Sequence, residues 1–248
     1  MRNWLVQVIA ECGFDRHPVS VRRNRKVYAQ GNRDDALYLV REGLIGIRGP
    51  FDKARNCIIE IHGAGEVFGE DCLRGIGERS STAVALRDAE LVRVPLAAIN
   101  SRLVDYGALM VLVRYMSCCL CRAAEARINL LLTSAEQRLA QTLVRLAARP
   151  QPGAPSAWVA VPNLTQAELA DMIGTMRCRV GQFLKRMRLL GLVREVDDGI
   201  LLVDHAALVD YARDCQDQRA QRPANARRLQ HAGSDNAGSA LHAADTAR

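Results

Sequence analysis

The chain has 248 residues, too many for one small core and enough for two domains or for one with appendages. At 49% hydrophobic and 25% charged residues it has the composition of an ordinary folded protein. No uninterrupted apolar run reaches the roughly 18 residues that span a bilayer. The first stretch, MRNWLVQVIAECGFDRH, is broken by Gln7 and Glu11 and has no small-residue cleavage site, which argues against a signal peptide and for a cytoplasmic protein with no membrane partner. The net charge of +7 favours a polyanionic partner, nucleic acid first. Only Lys26, Lys53 and Lys185 are lysines, and the remaining cations are arginines, whose planar fork suits phosphate and guanine.

Residues 1–16 read as a short amphipathic helix. From Pro18 to about Leu103, short apolar runs such as ALYLVREGLIGIRG and STAVALRDAELVRVP are separated by turn residues, the rhythm of an all-β sandwich or barrel. The period then changes. Leu109, Leu112, Met116, Cys119, Ala123, Ala126 and Leu130 recur in steps of three and four, which predicts a long helix with a coiled-coil seam for a second copy of the chain. A further helix follows, with Ser134 and Gln137 as its capping box and Leu139, Leu143 and Leu146 on one face. PQPGAP, 150–155, is a loop.

AWVAVP reads as a strand. TQAELADMIG is a helix opened by the Thr165/Glu168 capping box and closed by Gly174, and TMRCRVGQFLKRMRLLG is a second helix closed by Gly191. LVREVDDGILLV is a hairpin turning at Asp198-Gly199, and HAALVDYAR a last short helix. Beyond about Gln216 the chain is poor in branched and aromatic residues, and a disordered tail is expected.

Helix, glycine turn, basic helix and hairpin in that order describe a winged helix-turn-helix. Its second helix enters the major groove and presents its N-terminal residues to base edges. Here these are Arg177, Cys178, Arg179 and Gln182, with Lys185, Arg186 and Arg188 continuing the basic surface and Val180, Leu184, Met187 and Leu190 on the buried side. Arg177 or Arg179 suits guanine and Gln182 suits adenine. Thr165 and Gln166 open the first helix, where free N–H groups favour a backbone phosphate.

LTQAELADMIGTMRCRVGQFLKRMRLLGLV resembles the helix-turn-helix of the CRP/FNR family of bacterial transcription regulators. ALYLVREGLIGI, GEVFGEDCL and AEQRLAQTLVRLA follow the same family's order, so the resemblance runs from about Val19 to Ala212. It implies an α+β chain with an N-terminal helix and β-roll (cupin-like, cyclic-nucleotide-binding-like) sensor domain over 1–103, a dimerisation helix over 104–132, a winged helix-turn-helix DNA-binding domain over 133–216 and a tail over 217–248. It further implies a homodimer on palindromic double-stranded DNA, with RNA polymerase as a partner. The best-known members carry Arg-Glu in the reading helix, where this chain has Arg177 and Cys178; the subgroup with TTRSRV is closer. A thiol does not replace a carboxylate as acceptor for cytosine.

In cyclic-nucleotide-binding relatives a Gly-Glu pair and an Arg-Ser pair hold the ribose and phosphate. Gly69, Glu70, Arg79 and Ser80 match them, with a spacing about one residue shorter than in the cyclic-AMP receptor. The family's adenine-binding Thr-Ser pair falls on Ala123-Ala124, whose methyl groups cannot donate to a base. A phosphate half without an adenine half leaves three readings open: a cyclic nucleotide or another phosphorylated effector, no ligand, or another signal through thiols or haem. The cysteines, at 12, 57, 72, 118, 119, 121, 178 and 215, are expected to be mostly reduced, buried thiols, and His62 structural. No paired carboxylates, Ser/His/Asp order or metal spacing points to an enzyme. The competing function is a cyclic-nucleotide-binding signalling module that works through protein contacts.

Overall fold

A computed structural model of the chain describes residues 17–49, 57–75, 77–101, 106–147, 158–196 and 200–213. The expected N-terminal helix, the 150–155 loop, the Asp198-Gly199 turn, the tail, Cys12 and Cys215 lie outside the described residues. By contact the described residues form two units, those up to 131 together with 164–179, and 132–163 together with those from 180 onward.

The first unit is built on eight strands: β1 Val19–Val21, β2 Lys26–Tyr28, β3 Ala36–Glu42, β4 Leu44–Arg48, β5 Ile58–Gly63, β6 Val67–Phe68, β7 Thr82–Ala85 and β8 Ala89–Pro95. They pair antiparallel into two four-stranded sheets, ordered β1-β8-β3-β6 and β2-β7-β4-β5. The β character foreseen between Pro18 and Leu103 is thus realised as two sheets. Strand β3 shows why it reads as a nearly continuous apolar run. Ala36, Tyr38 and Val40 point into a cluster shared with Ile45, Ile47, Phe68, Ala83 and Ala85 of both sheets. The alternate residues Leu37 and Leu39 point the other way, into a cluster with Val92, Val94 and Ile99. A strand buried on both faces loses the alternation that a half-solvated strand shows.

That second cluster is covered by helices. Helix α1, Leu96–Asn100, contributes Ile99, and helix α2, Tyr106–Leu132, contributes Tyr115, whose hydroxyl donates to the Val67 carbonyl at 3.1 Å. Helix α2 has 27 residues, about 40 Å at 1.5 Å per residue. Its other side is apolar yet exposed: Leu109, Val113, Leu120, Ile128 and Leu131 run along it at helical spacing. By length and composition the segment Gly107–Leu132, which contains an 18-residue stretch of mean hydropathy 1.4, is long and apolar enough to cross a membrane. A count of uninterrupted apolar runs does not reveal this segment, because charged residues such as Arg114 and Arg122 interrupt it. The first unit also includes helix α4, Gln166–Ile173, where Arg23 donates to both carboxylate oxygens of Glu168 at 3.0 and 3.3 Å.

The second unit contains helix α3, Ala135–Leu146, the sheet β10-β11-β9 (β9 Trp158–Val161, β10 Val193–Val196, β11 Ile200–Asp204) and helix α6 over 205–213. Helix α3 opens on the foreseen capping box: Ser134 Oγ accepts from the Gln137 backbone, and Gln137 Oε1 accepts from the Ser134 backbone. Leu139 and Leu143 are fully buried, as are Val203 and Leu208. Glu136 accepts from the Tyr211 hydroxyl at 2.8 Å, and the Arg194 guanidinium lies 4.1 Å from the Trp158 ring centre. Helix α5, Arg177–Leu189, has its first turn in the first unit and the rest in the second.

Candidate functional site

Helix α4 starts at the expected cap. Thr165 Oγ1 accepts from the Glu168 backbone at 3.1 Å, and Glu168 Oε2 accepts from the Thr165 backbone at 2.6 Å. The helix stops at Gly174, where φ is 66° and ψ 50°, a left-handed conformation that other residues adopt at a cost. The Thr175 N–H returns to the Ala170 carbonyl at 3.1 Å, and α5 begins two residues later. On α5, Val180, Leu184 and Met187 are buried in steps of four and three, which fixes the face turned outward. Arg177, Cys178, Arg179, Gln182, Lys185 and Arg186 are all exposed on that face. Thr165 is exposed and Gln166 half-buried.

One expected core position fails. Leu190 is 54% exposed, because α5 ends at Leu189 and the chain turns at Gly191 with φ 73°, so that Leu192 takes the buried place. Arg186 and Arg188 make surface ion pairs with Glu136 at 3.5 Å and Glu195 at 3.2 Å. Exposed pairs of this kind hold a side chain weakly and leave it able to exchange partners.

The β-roll holds the second site. Gly69, Glu70, Asp71, Ser80 and Ser81 line a cavity of about 250 Å³ with Tyr28, Ile47, Ile59 and Glu60. Arg79 does not line it. Its side chain has no exposure, and each of its five N–H groups has an acceptor. Nε and Nη2 donate to Asp34 at 3.2 and 2.7 Å, Nη1 donates to the Gly69 carbonyl at 2.7 Å and to Asp71, and Nη2 donates again to the Ala36 carbonyl. The guanidinium also lies 4.1 Å from the centre of the Tyr28 ring.

Gly69 makes this approach possible. Its φ is 89°, and a Cβ there would come within 3.1 Å of both Arg79 Nη1 and the Ala36 carbonyl oxygen. Asp71 follows two residues later in a 3-10 turn, Glu70–Arg74. Its other carboxylate oxygen accepts from the Ser80 backbone at 2.9 Å and from Ser80 Oγ at 3.1 Å. Burial alone would lower the Arg79 pKa, but its hydrogen bonds to Asp34 and Asp71 outweigh this and hold it above the ordinary value. Burial likewise opposes ionisation of Asp34, and the Arg79 and Arg93 hydrogen bonds prevail and lower its pKa. Glu70 goes the other way: burial raises it, and Glu60 and Asp71 add to the rise.

Residues 18–106 match the family model of the cyclic nucleotide-binding domain, and residues 137–211 match that of the Crp-like helix-turn-helix domain. A Thermus thermophilus protein described as a cyclic AMP receptor protein is 30% identical over 194 residues, covering 76% of this chain and 84% of its own. The chain belongs to the CRP/FNR family of transcription regulators. A Mycobacterium tuberculosis relative described as a CRP-like cAMP-activated global transcriptional regulator is 27% identical, with 79% of this chain and 88% of its own covered. Two solved structures share the fold: the Thermus thermophilus CRP-family regulator TTHB099 (TM-score 0.63, 24% identity, 78% of this chain and 96% of its own), and FixK2 of Bradyrhizobium japonicum (0.66, 19%, 78% and 96%).

In this CRP/FNR-family chain Gly69, Glu70 and Ser80 line one cavity and Arg79 is buried beside it, while Asp34 and Asp71, the ionic partners of Arg79, are not legible as such in the sequence. Asp71 was visible as a carboxylate inside GEDCL, but nothing local marks it as a partner of Arg79. The thiols differ from expectation. Cys72 is buried and its pKa is pushed up to about 11 by burial, but Cys118, Cys121 and Cys178 are exposed and Cys57 and Cys119 only partly covered. Three of these sit on α2, whose outer side has no cover among the described residues. His62 is buried in β5, 5.7 Å from the centre of the Phe68 ring.

Proposed function

We propose that the protein is a cytoplasmic, homodimeric regulator that reads a palindromic operator with α5, acts together with RNA polymerase, and carries a sensor domain through which an effector would bias α2. The observation that carries the DNA reading is the outward face of α5, where four arginines and lysines and Gln182 stand opposite a buried apolar face, directly after a left-handed glycine turn. Arg177 and Arg179 are assigned to base edges, Lys185 and Arg186 to the backbone, and Thr165 and Gln166 to a phosphate at the start of α4. Arg-Cys-Arg at the start of α5 supports a likeness to the TTRSRV subgroup. Footprinting across a salt series tests the reading. We expect a protected palindrome and a steep fall in affinity with salt, and binding indifferent to both salt and sequence would overturn it.

For the dimer we assign the exposed stripe Leu109, Val113, Leu120, Ile128 and Leu131 to the interface, together with Ala123, Ala126 and Leu130 of the expected seam, which are also exposed. Leu112, Met116 and Cys119 are half-buried within the single chain and flank the stripe. The charges at Arg114, Arg122, Glu125 and Arg127 favour a second helix in water over lipid. Leu120→Asp is expected to turn the dimer into a monomer by sedimentation without changing the fold; an unchanged dimer would move the seam elsewhere.

A further inference from the structure

The family's cyclic-nucleotide cassette is present in this chain, but its donors are already engaged. We propose that Asp71 is the resident anion of the sensor pocket: its carboxylate takes the donors that a cyclic phosphate would need, and it thereby excludes cyclic nucleotides.

Three donors converge on this one group. Arg79 Nη1 donates to Oδ1, and the Ser80 backbone N–H and Oγ donate to Oδ2 at 2.9 and 3.1 Å. A carboxylate and a cyclic phosphodiester both carry one negative charge and both present two acceptor oxygens to a guanidinium and a backbone N–H, so one can stand for the other. Asp71 is tethered in a 3-10 turn that starts at Gly69, and its side chain is only 13% exposed. The remaining Arg79 donors are held by Asp34 and by the carbonyls of Gly69 and Ala36. Arg79 therefore has no N–H to spare for a ligand while Asp71 stays in place.

Charge argues in the same direction. Asp34 and Asp71 balance Arg79 and Arg93, and Arg93 reaches Asp34 at 2.9 Å. The cavity beside them is walled by two further carboxyl groups, Glu60 and Glu70. A phosphate would enter as an unbalanced anion beside acidic groups. With Asp71 replaced by a neutral residue, one positive charge and three donors become available at the same place. Asp71 is then the residue that decides specificity at this pocket, and DNA binding by the native protein needs no cyclic nucleotide.

The inference deepens the sensor-domain reading and relies on it only for that last consequence. Its test is calorimetric titration of the full-length wild type, Asp71→Ala and Asp71→Asn with cyclic AMP and cyclic GMP, plus melting of each in inorganic phosphate. The wild type is expected to give no binding heat up to about 1 mM nucleotide, the weak edge of measurable affinity. Asp71→Ala should bind at least one of the nucleotides about tenfold or more tightly than this, through removal of a like charge. Phosphate should raise its melting temperature but not that of the wild type. Adding Ser80→Ala to Asp71→Ala should weaken the gained binding. Should Asp71→Ala fail to fold, Asp71→Asn removes the charge, keeps an acceptor for Ser80 and gives the same contrast. Wild type that binds either nucleotide as tightly as the variants would overturn the proposal, as would a folded variant that responds to neither nucleotide nor phosphate. Failure of the DNA reading would appear separately, in the footprint of untreated wild type, and would leave these titrations unchanged.

Discussion

Arg79 in the β-roll and Arg177 at the start of α5 carry the same guanidinium into opposite settings. Arg79 has no exposed surface and spends every donor on two aspartates and two carbonyls. Arg177 is exposed at the head of a helix whose other face is buried. The residue type alone does not separate a structural arginine from a reading one. What separates them is where the acceptors are: inside the chain for Arg79 and, on the proposed function, on DNA for Arg177. A sequence motif reports the donor and is silent about acceptors brought in from elsewhere.

The largest effect that could break this contrast is Arg79→Met. It removes the Arg79 donors from Asp34, Asp71 and two carbonyls, leaving Asp34 to Tyr38 and Arg93 and Asp71 to Ser80, and a loss of about 3–5 kcal/mol is expected in denaturant unfolding. The pH dependence should change with it. Asp34 has a lowered pKa in the native protein, so its contribution is present above the ordinary carboxylate range and fades as pH falls through the native value. In Arg79→Met that acid-side loss should shrink. A stable Arg79→Met with an unchanged acid limb would mean that the buried network is dispensable.

Arg177→Ala should behave in the opposite way. Stability should stay within about 0.5 kcal/mol, while discrimination between operator and random DNA falls by about 1–3 kcal/mol and salt-sensitive nonspecific binding persists. Unchanged discrimination would remove Arg177 from the reading set. The smallest effect concerns Glu70. Its carboxyl pKa is raised by burial, so the native state favours its neutral form, and stability is given up as pH rises from the ordinary carboxylate range through the raised value. Glu70→Gln should therefore gain stability at neutral pH relative to acid, within about 1 kcal/mol. A melting-temperature series from pH 4 to pH 8 that runs parallel to wild type would show that Glu70 is not held in a costly ionised state.

Legibility in the sequence followed the range of the interactions. Capping boxes at Ser134/Gln137 and Thr165/Glu168, the stop at Gly174 and the buried face Val180, Leu184 and Met187 depend on residues at most a few positions apart, and the structure shows each of them. Leu190 failed because the helix period was carried one residue past Leu189, where α5 ends ahead of the reversal at Gly191. The side of α2 that packs on the sheets was not legible. Apolar steps of three and four occur on two sides of that helix, and only the fold decides which side Tyr115 anchors to the β-roll. Asp34 and Asp71 were not legible as partners of Arg79. One lies 45 positions away in sequence, and the other is brought close by a turn whose geometry rests on the positive φ of Gly69.

The single carboxylate at Asp71 also has an evolutionary meaning. Aspartate codons lie one base from those of alanine, glycine and asparagine. On the proposal made for this pocket, a lineage could pass between inducible and signal-free regulation by one point mutation, with operator recognition untouched. The same position offers a laboratory route to a nucleotide-gated switch that starts from the native gene.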